Sequence, residues 1–281
     1  MGSTTKIDWR QQRVTSSDGT TIAFLSLGLG PGLVIIPGNN RRAHHYQTLA
    51  QHLSDSFTVH VIDRRGRGDS GPQGPAYSVN AEVDDALAVL EHTGAQLVFG
   101  HSYGGLIALH LGLRTAVNAL IVYEPGVSIG GSFDDRWLPA FTHRLNQGKL
   151  VTAMAIFLKG TRLTPLGNAP MIAFRALACL LLYSGEGRDT RAMMATTPAE
   201  IGEVIRLDSD GSRYADVASP TLLIGGEKSP TYLTGVLPNL THTMPDARYV
   251  ILPDLDHNAP DLNAPELIAQ QIDTFAREQL D

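Results

Sequence analysis

Short, unbroken runs of Val, Ile and Leu alternate with stretches of helical spacing along most of the chain, and this rhythm constrains its fold more than any other feature. The runs fall at 33–37, 57–63, 96–99, 119–123, 221–224 and 249–252. They lack the in–out alternation of a half-exposed strand, so each predicts a strand buried on both faces. Between them, apolar residues recur at helical spacing, as at Val83, Leu87 and Leu90 within 79–93. Further helices are predicted over 42–53, 103–114, 232–243 and 265–279. Such strands, joined by helices, form a mostly parallel sheet with helices on both faces. Ahead of them, 12–17 and 20–27 flank Asp18-Gly19 and read as an antiparallel hairpin.

The rhythm stops between 126 and 217, where Pro and Gly punctuate a purely helical pattern. Ligands of open parallel sheets bind beyond the carboxyl ends of the strands. A helical block inserted on that side predicts a lid. The expected division is therefore a core over 1–125, a lid over 126–217 and the rest of the core over 218–281. A chain of 281 residues suits one large α/β domain. A net charge of −6 argues against nucleic-acid binding, which favours a basic face. The single cysteine, Cys179, excludes an internal disulfide; its apolar surroundings at 176–183 predict a buried small hydrophobe. The first residues, Met1 to Asp8, carry no apolar core of a secretory leader, and Lys6 stands where a myristoylation site has Ser or Thr. The expectation is a cytoplasmic monomer or homodimer acting on a small molecule, without membrane, cofactor or metal.

The strongest chemical signal is Gly100-His101-Ser102-Tyr103-Gly104-Gly105, a G-x-S-x-G sequence between a predicted strand and a predicted helix. A sharp turn there lifts the serine hydroxyl clear of the backbone, and the glycines make room for it. His257 follows the last predicted strand, 155 residues after Ser102, and can reach it from the same edge of the sheet as general base. A third signal, Pro37-Gly38-Asn39-Asn40, closes the strand at 33–37. It makes the backbone N–H groups of Asn39 and Tyr103 candidates for an oxyanion hole.

With Pro37-Gly38, Asp63-Arg64-Arg65-Gly66-Arg67-Gly68-Asp69-Ser70, the elbow at Ser102, and Ser102 preceding His257, the chain resembles the α/β-hydrolase family over nearly its whole length. It is most similar to the lid-bearing esterase, lactonase and haloperoxidase-like branch. The resemblance implies an eight-stranded, mostly parallel sheet, a lid after the sixth strand, and no cofactor. One departure matters. Relatives carry the triad acid in a Gly-x-x-Asp pattern after the strand that follows the lid, and here Ser229 stands at that place. Glu124, one strand earlier, resembles the arrangement of certain dehalogenases. It is the leading candidate for the acid, with Glu227 as the alternative.

Gly66-Arg67-Gly68-Asp69-Ser70-Gly71 mimics a dinucleotide fingerprint, but Pro72, Gly74 and Pro75 follow where a helix would have to begin. Ten histidines form no metal-binding spacing. In the lid, Trp137, Phe141, Met154, Phe157 and Met193 suggest an apolar pocket. Arg41, Arg42, Arg64, Arg65 and Arg67, in two neighbouring loops, either attract an acidic substrate or pair with carboxylates. The function expected is hydrolysis of an ester, thioester or lactone through an acyl-Ser102 intermediate. The alternatives are a cofactor-free, non-hydrolytic reaction on the same fold, and a receptor-like ligand binder.

Overall fold

The computed structural model describes residues 9–185 and 187–280. The expectation about a leader or lipid anchor at Met1 to Asp8 therefore lies outside the described residues. Eight strands form one sheet: β1 (Arg10–Thr15), β2 (Thr21–Leu27), β3 (Gly32–Ile36), β4 (Thr58–Ile62), β5 (Leu97–His101), β6 (Ala119–Tyr123), β7 (Thr221–Gly226) and β8 (Ala247–Leu252). Their order is β1-β2-β4-β3-β5-β6-β7-β8. β1 pairs antiparallel with β2 and β2 with β4, and all later pairings are parallel.

Within each central strand, successive side chains enter different cores. Leu33, Ile35, Ile121 and Tyr123 join one apolar cluster with α1 (Gln47–Leu53), and α11 (Pro265–Glu278) packs into the same cluster. Val34, Ile36, Leu120 and Val122 join the opposite cluster, shared with α2 (Val79–Thr93) and α3 (Tyr103–Gly112). This period of two is what lets an unbroken apolar run serve both faces. Ser78 caps α2 by accepting the Ala81 N–H, and Gly94 ends it at a φ of 69°.

Between β6 and β7 lie α4 (Leu138–Asn146), α5 (Leu150–Thr161), α6 (Met171–Tyr183), α7 (Gly187–Met193) and α8 (Thr197–Arg206). This insertion has its own apolar core, built around Trp137, Phe141, Met154, Phe174 and Met194.

Three readings of the sequence need correction. Cys179 is exposed. α6 buries Phe174, Ala178 and Leu182, and Cys179 lies one residue, about 100° of helix, beyond that stripe. The helix expected over 232–243 is two, α9 (Thr231–Thr234) and α10 (Leu237–Thr243), because Pro238 has no N–H for a helix interior and sits in the first turn of the second. β8 is the edge strand, so Tyr249 and Ile251 are exposed, not buried.

Two buried histidines make the fold sensitive to acid. His60 accepts or donates at Ser26 Oγ over 2.8 Å, and His110 Nε2 has no partner. Burial pushes both down to about 4 from an ordinary 6.5. The unfolded chain therefore takes up these protons first. Their contribution is complete above pH 6.5 and is lost as pH falls toward 4. The melting temperature is expected to drop across that window, and the double variant His60→Gln/His110→Gln to flatten the drop. An unchanged slope in the variant would assign the acid sensitivity to other groups.

Candidate active site

β5 ends at His101 and α3 begins at Tyr103, so Ser102 alone makes the turn between strand and helix. It adopts φ 55° and ψ −119°, a region that costs an ordinary residue on the order of 1–3 kcal/mol. The neighbours enforce it. The Ser102 N–H donates to the Tyr123 carbonyl at 2.9 Å, and its carbonyl accepts from Gly105 and Gly126, each at 2.8 Å. A Cβ on Gly104 would lie 2.0 Å from the Ile36 carbonyl oxygen, and one on Gly100 would lie 2.4 Å from that of Gly104. Strand β3 and the elbow thus pack at a distance only glycine permits.

His257 stands in the loop after β8, and its Nδ1 lies 2.6 Å from Oε2 of Glu124, the residue directly after β6. Glu124 has no exposed surface and a φ of 45°. Its other oxygen, Oε1, accepts the Gly226 N–H at 2.7 Å. A carboxylate acceptor fixes the imidazole with its proton on Nδ1, leaving Nε2 for the serine. The alternative acid, Glu227, instead accepts the exposed Asp254 N–H at 3.2 Å. Ser229, where the family resemblance implies aspartate, has a buried hydroxyl without a partner among the described residues.

Sequence reading missed the groups that hold this loop. The Tyr123 hydroxyl donates to the Asp256 carbonyl at 2.7 Å. His101 Nε2 lies 2.9 Å from the His257 carbonyl, which can only accept, so that nitrogen carries the proton. His101 Nδ1 then accepts from the Tyr46 hydroxyl at 2.7 Å, and Tyr46 in turn accepts the Gly38 N–H at 3.1 Å. Burial pushes the His101 imidazole well down and the Tyr46 phenol up, so both stay neutral. The only sequence trace of this relay was His101 beside the serine.

Ser102 and His257 line two adjoining cavities. The larger, about 470 Å³, is walled by Asn39 and Arg41 below and by Met154, Phe157, Leu177 and Leu181 of the insertion above. The smaller, about 50 Å³, lies against Asn39, Tyr103, Phe133, Ile201 and Leu233. Of the pocket residues expected from sequence, Arg41, Met154 and Phe157 line the larger cavity, and Asn39 and Tyr103 border the serine as anticipated. Arg42, Trp137, Phe141 and Met193 line neither. Arg42 pairs with Asp189 at 2.9 Å. Trp137 and Phe141 stack edge-to-face in the insertion core, and Trp137 borders a separate cavity of about 490 Å³ that excludes Ser102. Met193 is buried at the end of α7.

Most of the loop arginines pair with carboxylates. Arg64 binds Glu82 and Glu200, Arg65 binds Asp85 and Asp18, Arg67 binds Glu200, and Arg41 binds Asp261. The loop at 64–74 leads to no helix before Val79. Among the described residues no cluster of His, Cys, Asp or Glu could hold a metal ion, and no helix is long and apolar enough to cross a membrane.

This sheet order, elbow and histidine loop are those of a hydrolase scaffold. The chain belongs to the alpha/beta hydrolase family, whose sequence model matches residues 33–271. It is 25% identical, over 91% of both chains, to a 2-(acetamidomethylene)succinate hydrolase of Mesorhizobium japonicum. It is 39% identical to a pimeloyl-[acyl-carrier protein] methyl ester esterase of Vibrio cholerae, over 31% of this chain and 33% of that one. Among solved structures it resembles an alpha/beta hydrolase of Sphaerobacter thermophilus, with a TM-score of 0.79 and 29% identity, covering 94% of this chain and 99% of that one.

The packing at the elbow has a direct test. Gly104→Ala is expected to lower both the melting temperature and the reactivity of Ser102. Gly202→Ala, inside α8 where a Cβ meets nothing within 4 Å, is expected to stabilise by roughly 0.5–1 kcal/mol. A Gly104→Ala protein as stable as wild type would refute the close approach of β3.

Proposed function

We propose that the chain is a serine hydrolase that cleaves a carboxylic ester, thioester or lactone through an acyl-Ser102 intermediate. The observation that carries this reading is the 2.6 Å contact of buried Glu124 with His257 Nδ1, which supplies the acid that the Ser229 position lacks. His257 Nε2 takes the Ser102 proton as Oγ attacks the carbonyl carbon, and Glu124 stabilises the imidazolium that forms. The oxyanion is received by the backbone N–H groups of Asn39 and Tyr103, neither of which has a protein acceptor among the described residues. As the tetrahedral intermediate collapses, His257 returns the proton to the departing alcohol or thiol. Water then attacks the acyl-enzyme by the same route, giving the acid and free Ser102. The relative named as a methyl ester esterase supports ester cleavage. The contact of Glu124 with His257 supports hydrolysis over the non-hydrolytic alternative, since the base then has a carboxylate partner although Ser229 is no aspartate.

The two cavities favour an asymmetric substrate, with the helical insertion acting as its lid. A bulky apolar group suits the 470 Å³ side, and the 50 Å³ side suits a much smaller group such as a methyl or ethyl. Arg41, paired with Asp261, gives little support to an acidic substrate.

A fluorophosphonate probe is expected to label wild type stoichiometrically and to fail on Ser102→Ala and His257→Ala. Intact mass spectrometry reads this directly, and an unlabelled wild type would overturn the proposal. Glu124→Gln should lower kcat by about 10²–10⁴-fold, since the imidazolium loses its counter-charge. Across a panel of esters, those bulky on both sides should fall at least tenfold in kcat/KM below those with one methyl or ethyl side. Equal rates would discard the size rule while leaving the chemistry intact.

A further inference from the structure

A cluster of four buried charges lies behind the loop that follows β3. Arg64, Arg67, Glu82 and Glu200 are all at most 4% exposed. Arg64 Nε donates to Glu82 at 2.7 Å, and its Nη1 donates to Glu200 Oε2 at 3.2 Å. Arg67 Nη2 binds the other Glu200 oxygen and also donates to Thr196 Oγ1 at 3.0 Å. Two cations face two carboxylates, so the cluster is neutral as a whole. Only Glu200 among the four comes from the insertion, on α8.

The Nη1 groups of both arginines also reach backbone carbonyls of the loop, whereas Arg67 Nε has no partner among the described residues. Gly38 C=O accepts from Arg64 Nη1 at 3.2 Å and from Arg67 Nη1 at 3.1 Å. Arg67 Nη1 also donates to the Arg41 carbonyl at 3.0 Å. Glu200 Oε2 further accepts the Asn39 side-chain amide at 2.9 Å.

The peptide between Gly38 and Asn39 is trans and planar, so its C=O and N–H point in opposite directions. Two guanidiniums hold the carbonyl. The Asn39 N–H then points away from them, and Asn39 borders both cavities that Ser102 lines. Rotation of that peptide would replace a donor by a carbonyl oxygen and turn a stabilising dipole into a repulsive one. Glycine at 38 places little steric hindrance in the way of such a rotation, so the orientation depends on what grips the oxygen.

We infer that Glu200 is a positioning residue for the oxyanion hole: by neutralising Arg64 and Arg67 and holding the Asn39 side chain, it keeps the Gly38–Asn39 peptide turned with its N–H toward Ser102. The inference rests on the proposed role of the Asn39 N–H. It makes seating of the insertion and completion of the oxyanion hole one event, because withdrawing α8 strips Arg67 of its carboxylate partner. Burial alone would raise the Glu200 carboxyl, but Arg64, Arg67 and its hydrogen bonds from Thr196 and Asn39 hold it below its ordinary value, so it is charged when seated.

The test compares wild type with Glu200→Gln, which keeps the shape and removes the charge. On an ester that wild type turns over, kcat is expected to fall ten- to a hundredfold with KM within about threefold. Affinity for a trifluoromethyl ketone, whose adduct with Ser102 places an oxyanion in the hole, should fall in parallel. A purely structural role would lower the melting temperature without that split between kcat and KM. If Glu200→Gln does not fold, Arg67→Lys serves instead, since one ammonium cannot span Glu200 and the carbonyls of Gly38 and Arg41 together. It should show the same split. A folded variant with kcat and ketone affinity within twofold of wild type overturns the inference alone. A wild type that neither labels nor turns over esters overturns the underlying reading and this inference with it.

Discussion

A fully buried carboxylate holds the working edge of this sheet together. Glu124 follows β6, takes the Gly226 N–H of β7 on one oxygen and the His257 imidazole on the other. An isolated carboxylate in such a place would be costly to keep charged, and two good donors offset that cost. The same two contacts align the end of β7 with the loop after β8, and β6 carries the Tyr123 hydroxyl that fixes that loop at Asp256. The serine depends on β6 as well, through the Ser102 N–H bond to Tyr123 and the Gly126 N–H bond to its own carbonyl. Ser102, His257 and Glu124 are therefore all referenced to one strand.

Charge is handled by enclosure. A chain with five arginines in two loops could present a cationic mouth, but Arg64, Arg65 and Arg67 are buried against Glu82, Asp85 and Glu200. Guanidiniums suit this task because their fork of five donors can serve a carboxylate and several carbonyls together. The cavity is left with a mainly apolar wall from the insertion. Selection among substrates then falls to shape and to the burial of apolar groups, which discriminates by about 1–3 kcal/mol per methylene at most.

The core was legible because its signals are local and repeated. Strands Ala119–Tyr123 and Thr221–Gly226 are runs that no other element would bury on both faces, and the helix Val79–Thr93 announces itself by spacing and by Ser78 and Gly94 at its ends. Glu124 became the leading candidate because its place after β6 resembles that of the acid in certain dehalogenases, and its carboxylate lies 2.6 Å from His257 Nδ1. What stayed hidden depends on pairings between distant segments. Arg67 and Glu200 are 133 residues apart, and no periodicity links them. Trp137, Phe141 and Met193 look like pocket residues for the same reason they form the insertion core, since an apolar side chain in a helix does not reveal which neighbour it faces. Cys179 shows the limit from the other side, as an apolar segment still has an outward face when it lies on the surface of the insertion.

Backbone strain marks the same division. Among the described residues five non-glycine residues have positive φ, and four of them, Asn40, Ser102, Glu124 and Asp254, lie within four residues after β3, β5, β6 and β8. Asn and Asp enter this region readily, but Ser102 and Glu124 do not, and those two are held by contacts made elsewhere in the fold. Ser102 is held by Tyr123 and Gly126, and Glu124 by its N–H bond to Ile224 at 2.9 Å. The regular elements follow the rules a sequence makes visible, while the carboxyl edge departs from them. A rigid sheet can impose that departure because its strands are buried on both faces and cannot relax. The edge where local rules fail is also where Ser102 turns between strand and helix and where the buried Glu124 carboxylate fixes the His257 imidazole.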